Sequence, residues 1–405
     1  MAADKYLNSN SVYTIVNEAY KQAVGEKAVA TQDLADFVEN GVAYSTLIAD
    51  NAWKDQFTKA LLQQCVKNFY LDTEYANEYS DPFYEDARRF GAIVQLISAE
   101  APEVQASHAW QQFVSGTTKV GQYDVYLPIV DTKCAGKSSS WELPITITNE
   151  QWDPAFKNEG ELTQFVSFIM LAVKNAITQH LEDAQRLNVA NFIGEKLAYA
   201  ASVGAEGIHK IDLRALYEYE TGDQTITTAA AFKANDKCMR FAAEKIDEYA
   251  GYMGRQSALF NTEQKTKFVP RSRLVCEVLQ SFESRMKSVS YADAYNLEFV
   301  KLPAHKTVPF WQGFGEPDST SGAVDVDEVS AIKIKTASGE TVSQTGIVAL
   351  LADKWAVMHT ILDQRVAHEH FDFENLDTYM YQFRDQRINN LQQNAIVFTV
   401  EDAAT

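Results

Sequence analysis

The residues whose types and spacing could do chemistry are few. His368-Glu369-His370, with Asp372 two positions on, is the only cluster of metal-ligand types at close spacing. On a strand, residues 368, 370 and 372 would share one face, because side chains alternate with period two. Two imidazoles and a carboxylate could then serve as zinc-type ligands. The set lacks the helical HExxH spacing that puts two histidines and a base beside one metal. An exposed polar strand face or a subunit contact is the stronger reading. Cys134-Ala-Gly136-Lys137-Ser138 resembles the end of a phosphate-binding loop. That motif needs glycine five residues before Gly136, and the residue there is Asp131, whose charge would oppose phosphate. Gly313-Phe-Gly315 is a lone glycine pair with turn use as its default. A GxSxG nucleophile elbow is absent from the sequence.

Nor do the remaining titratable residues gather. Glu182 and Asp183 are adjacent in a helical pattern and point apart, while His108, His180, His209, His305 and His359 are scattered. Cys65, Cys134, Cys238 and Cys276 are separated by 69, 104 and 38 residues, which gives neither a CxxC nor a zinc pattern. They read as reduced, buried or half-buried thiols. No constellation supports general acid–base or nucleophilic catalysis. The expectation is a protein that is not an enzyme, with no catalytic residue, no metal and no cofactor.

The elements that would position such residues follow from periodicity. Val12, Ile15, Val16, Ala19, Tyr20 and Ala23 lie at helical spacing, so residues 11–24 predict a helix, capped by Ser11 or Asn10 and ended by Gly25. A second helical pattern covers about 45–70. Residues 92–97 read as a short apolar strand. Tyr123, Val125, Leu127 and Ile129 alternate with polar residues or proline, and so do Trp141, Leu143, Ile145 and Ile147. Two period-two runs around a small polar linker predict a long two-stranded ribbon over 122–130 and 141–148. Pro128 and Pro144 cannot donate to a ladder and belong at an edge. Such a ribbon is marginal alone and needs a surface to lie on.

The longest helix is expected from Glu161 to about Leu197, with Leu162, Val166, Ile169, Val173, Ile177, His180, Ala184 and Leu187 as its apolar stripe. Residues 203–227 read as loop and 228–253 as one helix. A strand over 273–279 leads into a helix near 281–289, then a strand over 297–302. A polar, acidic loop covers 315–328. Strands at 329–336, 346–351, 355–359 and 395–400 complete an α+β chain.

Composition sets outer bounds. The chain has 405 residues, 46% of them hydrophobic and 22% charged, enough for a large core and too apolar for wholesale disorder. Its 36 basic and 55 acidic residues give a net charge of -19, with no basic run longer than Arg88-Arg89. That weighs against a sequence-independent nucleic-acid or anionic-membrane binder, which needs clustered cations. The most apolar stretch, 165–177, is interrupted by Ser167, Lys174 and Asn175, and is too short and polar to span a bilayer. The start, Met1-Ala-Ala-Asp-Lys5, has no apolar core of a secretory signal, so none is expected.

Several collinear stretches carry a resemblance: Ile15-Val-Asn-Glu-Ala-Tyr20, Phe90-Gly-Ala-Ile-Val-Gln-Leu-Ile97, Phe156 through the long helix to Ile193, Asp212-Leu-Arg-Ala-Leu-Tyr217, Val300-Lys-Leu-Pro303, Val308-Pro-Phe-Trp-Gln-Gly313 and Asn389 to Val400. Together they resemble the major capsid (head) proteins of tailed bacteriophages, closest to the phi29-like podoviruses, with the HK97-type fold. The resemblance implies an N-terminal arm over 1–91, an extended E-loop over 92–157, a peripheral domain with its spine helix over 158–200 and 329–405, and an axial domain over 201–328. It implies a structural subunit that assembles as pentamers and hexamers around a double-stranded DNA genome. The implied partners are further copies of itself, a scaffolding protein, a portal protein and DNA held non-specifically, with no membrane. The implied places are the virion and, during assembly, the host cytoplasm. Trp141, Leu143 and Ile145 on the E-loop become the expected intersubunit contact. The alternatives are an encapsulin-like cellular nanocompartment shell and, from another class, an acidic cytosolic metal enzyme using His368, His370 and Asp372.

Overall fold

The computed structural model describes residues 94–99, 130–135, 138–148, 159–292, 303–312, 329–336, 339–371 and 376–403. In chain order these form β1 (Val94–Ala99), β2 (Val130–Ala135), β3 (Ser139–Thr148), α1 (Glu159–Val203), α2 (Glu206–His209), β4 (Lys210–Asp212), α3 (Leu213–Thr221), α4 (Ala229–Ala234) and α5 (Asp236–Met253). Then come β5 (Leu274–Leu279), α6 (Gln280–Ala292), β6 (His305–Val308), β7 (Ile332–Lys335), β8 (Thr341–Gln344), β9 (Ile347–Asp353), β10 (Val357–Phe371), β11 (Leu376–Asn389) and β12 (Ala395–Thr399). The helices expected over 11–24 and 45–70, the strand over 297–302 and the loop over 315–328 lie outside the described residues, as does the 122–129 part of the ribbon.

The core is a five-stranded mixed sheet in the order β4-β12-β9-β5-β6. β9 and β12 are buried at every position, and their sequences, IVALLAD and AIVFT, are continuous apolar runs rather than alternating ones. A strand covered on both faces needs that pattern. The last strand, β12, pairs parallel with β4 and antiparallel with β9, so it sits inside the sheet. Gly346 makes this close approach possible. Its φ is +75°, and a Cβ there would lie 2.3 Å from the carbonyl oxygen of Val400. Trp311 is 1% exposed and donates from Nε1 to the Ile347 carbonyl at 2.9 Å, which ties the segment after β6 to the same core.

α1 has 45 residues, longer than the expected 161–197, and at roughly 1.5 Å per residue it reaches about 68 Å. Its second half enters the core through Val189, Ala190, Phe192, Ile193 and Leu197. The expected stripe holds at Ile169, Val173, Ile177 and Ala184. It fails at His180 and Leu187, which are exposed; Leu181, Gln185 and Asn188 are buried instead. The buried positions step by four from Ile169 through Val173 and Ile177 to Leu181, so the covered face winds around the helix instead of following one straight stripe. Buried polar groups on α1 find partners. Arg186 lies 3.6 Å from Glu277 of β5. Lys196 donates to the Phe260 carbonyl at 2.8 Å, and burial pushes its ammonium down to about 7. The β7–β8 hairpin rests on α1 at Gly194, where a Cβ would stand 3.4 Å from Ile334.

Two expectations in the middle of the chain are corrected. Residues 203–227 are not simply loop, since they contain α2, β4 and α3. Asp212 caps α3 by accepting from the Arg214 amide at 3.0 Å, and Gly222 ends it in the left-handed region at φ 73°. The single helix expected over 228–253 is two, α4 and α5. Asn235 separates them in extended conformation and its side chain accepts from the Lys237 amide.

Candidate functional site

The sheet that carries the sequence-selected residues is a separate three-stranded one, in the order β10-β11-β3. The first run of the expected ribbon, 122–129, lies outside the described residues. Its second run, 141–148, lies on β3, and β3 pairs with β11 of the same chain, from Ser139 opposite Asp385 to Thr148 opposite Leu376. The linker before it contributes β2, which pairs with β1. Among the described residues β3 is an edge strand, where Pro144 is tolerated.

Register places Trp141 opposite Phe383, Leu143 opposite Tyr381 and Ile145 opposite Tyr379. Side chains two apart share a face, so these six form one apolar surface. Gln364 and Val366 of β10 extend it opposite Phe383 and Tyr381. The three aromatic residues of β11 are buried, with Tyr379 and Tyr381 at 0% exposure. Trp141, Leu143 and Ile145 on the edge strand are only half-buried. The Trp141 ring is flanked by Phe383 and by His180 of α1, with both ring centroids at 4.1 Å and the Phe383 ring stacked at 10°. β3 is thus fastened to the long helix as well as to β11. Burial and the nearby Arg387 guanidinium lower the pKa of His180.

The opposite face is polar. Glu142, Pro144 and Thr146 are exposed. Gln382 donates to Glu142 at 3.0 Å, Arg384 donates to the Ser138 hydroxyl at 2.9 Å, and the hydroxyls of Thr146 and Thr378 are 3.0 Å apart.

Asp385, 0% exposed, joins the three strands at the end of this sheet. It accepts from the Ser139 hydroxyl of β3, from Arg387 Nε at 2.7 Å, and lies 3.2 Å from His359 Nε2 of β10. Burial works against its ionisation. The hydrogen bonds from His359, Ser139 and Arg387 outweigh burial and hold the carboxyl at about 2. Serine, histidine and aspartate meet here, but the carboxylate stands between the other two. The hydroxyl donates its hydrogen bond to the carboxylate rather than to an imidazole base, so no nucleophile is activated. The cluster ties strands together.

His368 and His370 do fall at alternate positions of β10, opposite Tyr379 and Asp377, while Asp372 lies outside the described residues. Among the described residues no group of three His, Cys, Asp or Glu could hold a metal ion. Cys238 and Cys276 are free, buried thiols. No helix among the described residues is long and apolar enough to cross a membrane. Sequence reasoning found the β3 row but missed its other half. The signal was present in Tyr379-Met-Tyr-Gln-Phe383, an aromatic at every second position, as was the one buried acid among the polar residues that follow.

Among the described residues, then, β3 is an edge strand with a half-buried apolar row, anchored to a long helix. The model of the Phi29-like phage major capsid proteins matches residues 11–399, and the chain belongs to that family: it is a structural subunit of a phage capsid. The capsid structure of Staphylococcus phage Andhra is similar over 80% of this chain and 84% of that chain, at 12% identity and a TM-score of 0.49. A structure from Mycobacterium phage Cain is similar over 82% of this chain and 94% of that one, at 12% identity and a TM-score of 0.43. A comparison with curated proteins gives no match.

Proposed function

We propose that the subunit has the HK97-type organisation and closes into pentameric and hexameric rings that form the head around double-stranded DNA. In this reading 1–91 is the arm, 92–157 the E-loop, 158–200 with 329–405 the peripheral domain carrying α1 as its spine, and 201–328 the axial domain. Ring contacts are head to tail and close at five or six copies. A scaffolding protein sets the size of the shell, a portal protein occupies one vertex, and the DNA is held without sequence preference. The protein does no catalysis; its work is self-association.

The observation that supports the reading is the edge row Trp141, Leu143 and Ile145, half-buried, with no strand paired to its outer side among the described residues. A neighbouring subunit covers that side. Buried aromatic anchors dominate the energetics of such interfaces. Negative-stain electron microscopy of the expressed chain, alone and with a scaffolding protein, tests the proposal. Closed shells or rings of five and six are expected. A monodisperse monomer under every condition, scaffold included, would sink it.

A further inference from the structure

The fold gathers positive charge in one place. Residues 254–273, between α5 and β5, hold five bases and one acid in a chain whose net charge is -19. Leu274 opposite Asp353 and Ala352 opposite Ala395 bring the start of β5, the end of β9 and the start of β12 to one end of the five-stranded sheet. The segment is fixed across that end. Ser257 bridges Lys267 in an antiparallel pair, Lys267 Nζ donates to the Gln392 carbonyl at 3.0 Å, and the Lys354 amide donates to the Arg273 carbonyl at 3.0 Å. Asn261, 0% exposed, donates to the Lys265 carbonyl at 2.7 Å and to the Asn394 side chain at 3.2 Å.

Three of the bases at this end meet acids. Lys265 pairs with Glu263, Arg273 with Asp353, and Arg271 lies 3.9 Å from Asp247 of α5. Arg255, Lys267 and Lys354 stand outside these pairs, so the island keeps a positive excess. Apolar side chains lie among the charges. Leu259 is 57% exposed, Phe268 51% and Trp355 41%, and the Arg273 guanidinium sits 4.2 Å from the centre of the Trp355 ring. Exposed apolar groups set among arginines mark a surface that another protein segment covers, whereas a duplex backbone is held by cations alone.

The occupant must therefore be acidic and apolar at once. Residues 72–86 of this chain, outside the described residues, carry six acids, four aromatics and no base. A second acid-rich stretch, 316–328, has five acids and no aromatic. Opposite charges across a contact fix its register and exclude wrong partners. We propose that the basic island at this end of the sheet docks the acidic, aromatic segment 72–86 of a neighbouring copy. Island and segment are different surfaces, so the contact is heterologous, the kind that closes into rings. The proposal rests on the shell reading for a second copy as partner, and on the pattern of charge and apolar exposure for the place.

The test mixes isotope-labelled and unlabelled full-length chains under assembly conditions and joins touching amines and carboxylates with a carbodiimide. Mass spectrometry should find Lys267 or Lys354 joined to acids of 72–86 in heavy–light pairs. R255E/K354E, which spares the three ion pairs, should lower that yield about tenfold, because two exposed attractions become repulsions. A partner chain carrying E74K/E78K should restore it. Joins found only within one isotope, joins to 316–328 in place of 72–86, or an unchanged yield in R255E/K354E overturn the docking. So does protection of Lys267 and Lys354 by added duplex DNA in place of the segment. Normal shells without these joins would sink the docking and leave the shell reading standing; heavy–light joins in oligomers that never close would do the reverse. Should R255E/K354E fail to fold, the wild-type joins decide the matter alone.

Discussion

The hydroxyl of Ser139 donates to the carboxylate of Asp385, a residue 246 positions further along the chain. That bond closes the β3–β11 ladder at the end where His359 and Arg387 also meet the acid. The three-stranded sheet therefore depends on a charged, wholly buried carboxylate, and its stability is tied to pH.

The sign follows from the shift. The Asp385 carboxyl lies at about 2 in the fold against an ordinary 3.8, so the unfolded chain binds the proton more tightly. The stabilisation is full above about pH 4 and is lost as pH falls towards about 2, and it amounts to roughly 2 kcal/mol. Asp385→Asn should be less stable at neutral pH and should lose less stability on acidification. Thermal melts from about pH 5 to about pH 2 check this; parallel curves for the two proteins would contradict it.

Trp141→Ala should leave the subunit folded and lower the yield of closed shells about tenfold or more, as expected for an interface anchor. Trp141→Phe, which can still stack between Phe383 and His180, should assemble better than the alanine variant. Circular dichroism separates folding from assembly. Normal shells from the alanine variant would remove Trp141 from the contact, and an unfolded monomer would make it a core residue.

Ile177→Pro acts on a different level. Ile177 is 1% exposed in mid-helix, and proline there removes a backbone hydrogen bond and breaks α1 at a cost of about 3 kcal/mol or more. Packing of the helix against the sheets should go with it. The expected result is insoluble protein or loss of a cooperative melt, in contrast to the Trp141 variant.

Gly346→Ala tests the contact between β9 and the end of β12. The φ of +75° alone costs about 1–3 kcal/mol for a residue with a side chain. The added Cβ would also meet the Val400 oxygen at 2.3 Å, well inside van der Waals contact. A drop in melting temperature of several degrees is expected, without change in the acid sensitivity governed by Asp385.

Charge predicts the behaviour of free subunits. With 36 bases against 55 acids and no long basic run, they should bind DNA weakly at physiological salt. Like-charged subunits repel, and the Debye length, about 10 Å at 0.1 M, shortens as salt rises. Moderate salt or divalent cations should therefore promote assembly, which light scattering reads directly. A tight gel shift by free subunits at physiological ionic strength would point to a folded basic face hidden by the even linear distribution.

Local order was readable where one physical signal dominated. The apolar runs of β9 and β12 follow from burial alone, and the presence of a long α1 from its unbroken helical pattern, although its ends at Glu159 and Val203 lie beyond the expected 161–197. The row Trp141, Leu143, Ile145 was legible from alternation, but its partner was not, because register across 246 residues leaves no local trace. Asp212 and Gly222 carry the start and stop signals of α3, yet the glycines and threonines around them suggested loop. His305 looked isolated because its partner Glu283 stands 22 residues away, and the parallel β5–β6 pairing brings the two together.

The interior position of β12 has a consequence for synthesis. The strand that joins β4 to β9 is residues 395–399, so the five-stranded sheet stays split in two until those residues have left the ribosome. At about 5–20 residues per second, the 246 residues from Ser139 to Asp385 alone take on the order of 12–50 s. A nascent chain that stalls before residue 395 cannot close its core and so cannot present a finished surface to its neighbours. Truncation before residue 395 should therefore remove a copy from assembly at the level of its own fold, before any contact with a neighbour is tried.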